Sequence, residues 1–387
     1  MALKREDAGP SRPYRAVMKR ILIISTALAT LASVAAAHPP PLLHQDANAL
    51  IRQGAPSVIA EVVTPDGSAT VRAGAVPKHA KFRIGSATKT FTAAVALQLV
   101  GEGRLGLEDP VERWLPGVVR GHGNDGRRIT VRQLLQQTSG LPNYAARITF
   151  LGSKKDYDAE ALTATTPAHL LALALSQPPA FAPGTRWDYS NTNYVLAGMV
   201  IERVTGHGWE SEVERRILRP LRLRDTSVPR TELDVPAPHA VGYHRFPAGQ
   251  EQFGPRVDTT RFSPTWADAA GSMISTTSDL NRFFRALLGG RVLAPAQLAE
   301  MTTTVPAPPF ADAWKNPRYG LGLQWSETPC GGMWSHSGDI PGYSTRDGIS
   351  EDGTRSVVVS INDDTLRPEP GELDPTTDLV NHALCGS

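Results

Sequence analysis

The stretch from Ser86 to Val100 constrains this chain more than any other. It is rich in Ala, Leu, Val and Thr, contains no Pro or Gly, and carries one charge, Lys89. A helix that is apolar nearly all round belongs inside a core, so the rest of the chain has to be built around it. Ser86 falls in its first turn, directly after Gly85, and Lys89 follows three residues on. Residues three apart share a helix face, which brings the amine close to the hydroxyl. First-turn N–H groups lack intrahelical partners and can face a developing oxyanion. A serine beside an amine at the positive end of a buried helix is arranged as a nucleophile with its base. A serine at a helix start also serves simply as a cap. What sets this one apart is the lone ammonium, which burial forces either to find partners or to give up its proton.

The 387 residues suffice for one large domain or two medium ones. The N-terminus reads as an export signal: a basic Met18-Lys19-Arg20, an apolar run from Ile21 to Val34, and small residues Ala35-Ala36-Ala37. The run is too short to span a bilayer, and Met18 reads as a better start than Met1. Residues 1–37 hold six of the 40 basic and two of the 38 acidic side chains, so the remainder carries 34 against 36, a net of −2. The basicity therefore belongs to the signal and gives no support for nucleic-acid or anionic-membrane binding. An exported, extracytoplasmic chain with only Cys330 and Cys385 is expected to join them in a disulfide. Two cysteines without a His-Glu-x-x-His run predict no metal, and nothing calls for a cofactor.

In chain order, Leu42 to Gln53 reads as a helix. Ser57–Val63 and Ala69–Ala73 form a hairpin about Pro65-Asp66-Gly67. Lys81–Ile84 is a short strand entering the Ser86 helix. From Leu105 to Leu223 prolines break the chain into short helices, with helical periodicity over 129–137, 167–175 and 193–204. Loops and short strands follow to Pro264. Ser278 to Leu288 is a helix capped by Ser278. Tyr319–Trp325, Gly332–His336, Tyr343–Ile349 and Ser356–Ile361 read as consecutive antiparallel strands, and Leu373–Leu384 as a closing helix. The expected architecture is α/β, a central antiparallel sheet flanked by helices with an inserted all-helical domain. Its segments are 1–37 (extension and signal), 38–104 (α/β, first part), 105–228 (helical) and 229–387 (α/β, second part).

Two further stretches can carry chemistry. In Trp187-Asp-Tyr189-Ser-Asn191, Tyr189 and Asn191 can point into one cleft, and a phenol shuttles protons if cations lower its pKa; the same residues also suit an aromatic packing cluster with Asn caps. In Trp334-Ser-His336-Ser337-Gly338-Asp339, Gly338 permits close backbone approach and His336 is placed to supply a positive field, although a strand His before a turn is common. Ser-x-x-Lys, Tyr-x-Asn and His-Ser-Gly each occur once. Their order and spacing resemble the penicillin-recognising serine hydrolases, in forms similar to class C β-lactamases and, more closely, to soluble secreted DD-carboxypeptidases. Phe82-Arg-Ile-Gly-Ser86, Ile129-Thr-Val-Arg-Gln-Leu134, Thr138-Ser-Gly-Leu141, Asn191-Thr-Asn-Tyr-Val-Leu-Ala-Gly198, Trp266-Ala-Asp-Ala-Ala-Gly271, Tyr319-Gly-Leu-Gly-Leu323 and Cys385-Gly386 extend the resemblance from about residue 42 to the end.

The resemblance implies the β-lactamase/DD-peptidase fold and a set of roles. Ser86 is the acylated nucleophile. Lys89 takes its proton, alone or with Tyr189, and Tyr189 returns a proton to the leaving amine. Asn191 binds the substrate amide, and His336 biases Tyr189 towards phenolate. The N–H groups of Ser86 and Asp339 form an oxyanion hole, Ser337 and Gly338 line the substrate strand, and Trp266 lines the acyl side. Two positions depart from the resembled enzymes. Gln324 stands where they place Arg, and Asp339 where they place Thr; both lower the positive potential expected around a substrate's terminal carboxylate.

Three functions follow as expectations. The leading one is a D-alanyl-D-alanine carboxypeptidase-type peptidase acting on small peptides or peptidoglycan stem peptides, with β-lactams as inhibitors or substrates, as a monomer. A β-lactamase, esterase or D-aminopeptidase on the same scaffold is favoured by Gln324 and Asp339. A non-catalytic β-lactam or peptidoglycan sensor is disfavoured by the complete set of Ser86, Lys89, Tyr189, Asn191 and His336.

Overall fold

Segments from the two ends of the chain meet in one sheet, and the apolar helix after Ser86 lies against it. The computed structural model describes residues 41–249, 253–366 and 373–386; the expected export signal lies outside them. Helix α1 (Pro41–Arg52) buries Leu43, Ala47 and Leu50. Strands β1 (Ser57–Thr64) and β2 (Gly67–Gly74) form the expected hairpin. β3 (Phe82–Arg83) leads through a 3₁₀ turn, Gly85–Ala87, into α2 (Thr88–Gly101). Ser86 thus sits on the turn that feeds the helix.

Helices dominate from there to residue 221: α3 (Val111–Trp114), a two-residue strand pair β4 (Arg120–Gly121) and β5 (Asn124–Asp125), α4 (Val131–Leu135), α5 (Lys154–Glu160), α6 (Pro167–Leu175), α7 (Asn191–Thr205), α8 (Trp209–Val213) and α9 (Arg219–Leu221). Their starts follow local chemistry. Thr130 and Gln133 close a capping box on α4, and Thr166 caps α6 with Pro167 at its first position. Next come β6 (Tyr243–Pro247), β7 (Phe253–Asp258), α10 (Asp268–Gly271), β8 (Ile274–Ser275), α11 (Thr277–Leu288) and α12 (Pro295–Thr302). The chain ends with β9 (Val305–Pro306), β10 (Lys315–Tyr319), β11 (Gln324–Thr328), β12 (Gly331–Ser335), β13 (Gly338–Ile340), β14 (Tyr343–Ser350), β15 (Ser356–Ile361) and α13 (Thr377–Cys385).

The main sheet runs β2-β1-β15-β14-β12-β11-β10-β9, with β13 paired to β14 alone; its pairs are antiparallel. All six residues of β15 are buried, as a central strand requires. On one face, Val58, Val357, Val359 and Ile361 pack with Leu43, Leu50, Leu379, Val380 and Leu384. On the other, Ile59, Val358 and Ile349 join Phe91, Phe283 and Phe284, and this cluster continues to Leu170 and Tyr194. The helical segment therefore shares a core with the sheet. The Phe91 and Phe283 rings stack against each other. Cys330 and Cys385 are joined, tying the β11–β12 turn to α13.

Three expectations are corrected. Tyr319–Trp325 is two strands, not one: Gly320 and the left-handed Gly322 fold the backbone back, so Tyr319 pairs with Gln324. The glycines that mimic an alternating strand are what break it. Thr276, not Ser278, caps α11, its hydroxyl accepting from Asp279 N–H. The last helix begins at Thr377, four residues later than expected.

Candidate active site

Gly85 makes the geometry at Ser86 possible. Its φ of +51° lies in the left-handed region, and a Cβ there would stand 3.0 Å from the backbone of Asp339. Gly338 is tighter still, since its Cβ would meet Ile84 O at 1.9 Å and Ser86 N at 2.9 Å. The two glycines let the β13 backbone lie directly against the nucleophile turn. The backbone of Asp339 thereby lies beside the turn that carries Ser86.

Lys89 is fully buried, and its Nζ has three neighbours: Ser86 Oγ at 3.0 Å, Asn191 Oδ1 at 2.7 Å and Ala270 O at 2.7 Å. Burial lowers its pKa well below the ordinary lysine value. A neutral amine has two N–H donors and one lone pair. Asn191 Oδ1 and Ala270 O are acceptors, so they take the two N–H bonds. The lone pair then faces Ser86, whose hydroxyl is the donor. Every contact of Lys89 is satisfied in the state that can receive a proton.

Tyr189 crosses this amine, with Lys89 Nζ 4.7 Å from the ring centroid. Its hydroxyl is buried without a hydrogen-bond partner. Burial, then the adjacent Tyr319, pushes the phenol well above its ordinary pKa, against the opposing pull of the nearby Ser86 hydroxyl. The expected phenolate is therefore corrected: Tyr189 is a neutral phenol here, and Lys89 is the better base of the two.

His336 is also fully buried. Its Nδ1 lies 2.9 Å from Ser337 O, a pure acceptor, so Nδ1 carries the proton; Nε2 then accepts from Tyr319 O–H at 2.9 Å. Burial, and next the nearby Lys89, push His336 down to about 3. The positive field expected at this position is absent, because a desolvated imidazole beside an amine cannot keep a charge.

A cavity of about 20 Å³, room for one water, is bordered by Ser86, Asn191, Tyr144, Trp266, Ala270, Asp339 and Ile340. Trp266 is fixed through its carbonyl, which accepts from Tyr144 O–H at 2.7 Å. The indole also borders a second cavity of about 650 Å³, walled by Ile148, Phe150 and Leu173. The backbone of Asp339 lies against the Gly85–Ser86 turn. Its side chain shares the opposite sheet face with Ser344 and Arg346, accepting from Ser344 Oγ at 2.7 Å and Arg346 Nη1 at 2.8 Å. Arg346 partly offsets the Asp339 charge, which still reaches Tyr189 and adds to the rise of that phenol. Gln324 heads β11, almost fully buried, with Oε1 unpartnered and outside the cavity lining; Ser337 Oγ is likewise buried and unpartnered.

Sequence reasoning missed Tyr319, Asp347 and Asp268. Asp268 accepts from Trp209 Nε1 at 2.7 Å, and burial pushes it up to about 7. Its φ of +42° is strained, and it opens the short helix whose Ala270 carbonyl meets Lys89. The Arg346–Asp339 pair had a readable signal: a two-residue turn at Pro341-Gly342 sets Ile340 opposite Tyr343, and the register then follows. Among the described residues no group of three or more His, Cys, Asp or Glu is placed to hold a metal, and no helix is long and apolar enough to cross a membrane.

The chain resembles proteins of known structure. It is 41% identical to a D-stereospecific amidohydrolase from Streptomyces sp., with a TM-score of 0.82, covering 89% of this chain and 98% of that one. It is 25% identical to a D-amino acid amidase from Ochrobactrum anthropi SV3 complexed with D-phenylalanine, at a TM-score of 0.75, covering 87% and 96%. Penicillin-binding protein 4* of Bacillus subtilis (strain 168) is 29% identical over 271 residues, 68% of this chain and 56% of that protein. The match thus spans little more than half the length of that relative. Residues 44–381 match the family model described as Beta-lactamase. The chain belongs to the Beta-lactamase family of serine hydrolases, whose fold it shares.

Proposed function

We propose that this protein hydrolyses amides and esters of D-amino acids, releasing the acid through an acyl-enzyme on Ser86. One observation carries the reading: His336, Gln324 and Arg346, the residues weighed for binding a terminal carboxylate, offer no free cation. His336 is neutral, Gln324 is uncharged, and Arg346 is engaged by Asp339 and Asp374 on the other face of the sheet. A terminal carboxylate calls for a bidentate Arg; a carboxamide or ester does not. The similarity to a D-stereospecific amidohydrolase supports the same substrate class.

In this reading Ser86 Oγ attacks the substrate carbonyl while Lys89 Nζ takes its proton. The N–H groups of Ser86 and Asp339 hold the oxyanion, and Asn191 binds the substrate amide. The C–N bond breaks as Tyr189 relays the proton from Lys89 to the departing amine. Water then cleaves the ester, giving its proton back through Lys89 to free Ser86. The larger cavity beyond Trp266 takes the acyl half. A D-Ala-D-Ala carboxypeptidase is the second reading, favoured by relatives named penicillin-binding proteins. Export to the cell envelope rests on residues 1–37 alone.

The test is kcat/KM for D-phenylalaninamide, L-phenylalaninamide and a D-Ala-D-Ala peptide, with Ser86→Ala as control. Preference for the D-amide is expected. A hundredfold preference for the peptide acid would restore the carboxypeptidase.

A further inference from the structure

We infer that Asp347 is a positioning residue that holds the oxyanion strand β13 against the nucleophile turn. The ladder between β12 and β14 stops after Trp334↔Ile349, and pairing resumes only with Gly338↔Thr345 on β13. Residues 335–337 and 346–348 therefore face each other with no ladder pair. The buried Asp347 side chain fills this gap. Both of its carboxylate oxygens accept the backbone N–H of His336, at 3.2 and 3.1 Å. A side chain stands where a strand partner would be, and an unpaired buried N–H is thereby satisfied.

Two residues beyond His336, the chain is wedged against Ile84 and Ser86 with no room for a Cβ at Gly338. Asp347 thus sets one end of a short lever whose other end carries the Asp339 N–H. The neighbouring Arg346 grips the same lever from the opposite face: it donates to Asp339 at 2.8 Å and to Asp374 at 2.7 Å. Adjacent residues of β14 hold this stretch from both sides, Asp347 through the His336 N–H that leads into β13 and Arg346 through the Asp339 side chain. His336 faces Asp347 through its backbone N–H, and Arg346, on the other face of the same strand, acts on it through its charge. Burial pushes Asp347 up to about 7, against the His336 N–H and Arg346.

This inference rests on the proposed site only in taking Asp339 N–H as an oxyanion donor. Deleting such a donor outright lowers kcat about 10²- to 10³-fold; displacing it should cost roughly ten- to a hundredfold. The substrate for the test is p-nitrophenyl acetate, which needs nucleophile and oxyanion hole but no D-amino acid recognition. Failure of the D-amide reading therefore leaves the test intact. In Asp347→Ala, kcat should fall roughly ten- to a hundredfold with KM changed less than threefold. Asp347→Asn keeps one acceptor oxygen and should restore kcat to within about threefold of wild type. Asp347→Ser, too short to reach the N–H, serves if the alanine variant is insoluble, and the same loss is expected. An unchanged kcat in either short variant, or equal losses in Asn and Ala, overturns the inference.

Discussion

Lys89 Nζ lies 2.7 Å from Asn191 Oδ1, which ties the base of α2 to the first residue of α7. The contact favours an amine that donates, and burial favours an amine without charge. Asn191→Asp would put a carboxylate at the same distance. A nearby anion stabilises the ammonium and raises the lysine pKa. The acid limb of the kcat/KM profile should therefore move to higher pH, with activity at pH 7 reduced at least tenfold. A limb that stays in place would show that Lys89 is not the group whose deprotonation activates Ser86.

Ser86 should be the one residue acylated by an activated ester or a β-lactam, because there, alone among the described residues, a nucleophile, a buried base and first-turn N–H groups converge. Intact-mass measurement of wild type and Ser86→Ala checks it. Equal labelling of both proteins would refute the assignment.

Arg346→Met should destabilise the fold by about 3 kcal/mol, because it leaves the buried Asp374 carboxylate unpaired; the Asp339 arm is half-exposed and adds little. Burial works against the Asp374 anion, but Arg346 and Thr376 outweigh it and hold the carboxyl below its ordinary 3.8. A depressed carboxyl contributes stability that is present above its unfolded value and lost as pH falls through the folded one. Wild type should therefore lose this contribution only below about pH 3.8, and the variant should lack it throughout. Urea unfolding at pH 7 and pH 3 measures both.

Reduction of Cys330–Cys385, which closes 55 residues, should cost about 4 kcal/mol in the chain-entropy account. Chemical denaturation with and without reductant reads it. Indifference to reductant would mean that α13 is held by Leu379, Val380 and Leu384 alone.

What could be read in advance follows the range of the interactions. Ser86 and Lys89 are three residues apart, and their contact needs only a helix. The strands β14 and β15 show in their own residue pattern. The break at Gly320–Leu323 was hidden because a Tyr-Gly-Leu-Gly-Leu run alternates as a strand does. The charge state of His336 was hidden for a different reason. It depends on burial and on Lys89, which is distant in sequence and placed by another element. Asp347 was invisible because its role exists only once the register of β12 and β14 leaves a gap.

The last prediction concerns Gln324. It heads β11, pairing with Tyr319 and Ser335, and its Oε1 has no partner. Neither Gln324 nor the neutral His336 offers a substrate carboxylate a charge, and the Asp339 carboxylate is turned to Arg346. Discrimination between a D-Ala-D-Ala peptide and its C-terminal amide should therefore be weak in wild type. Gln324→Arg supplies the missing charge. A charge-assisted hydrogen bond contributes about 1.5–3 kcal/mol, so the variant should favour the free acid over the amide by roughly ten- to a hundredfold more than wild type. An unpaired Arg at this buried position also costs stability, so the variant should melt below wild type without ligand and recover part of the difference with a D-Ala-D-Ala peptide. Measuring kcat/KM for peptide and amide, with melting temperatures for both proteins, separates the effects. A wild type that already prefers the free acid a hundredfold would mean that another cation reaches the site, and the amide reading would fall with it.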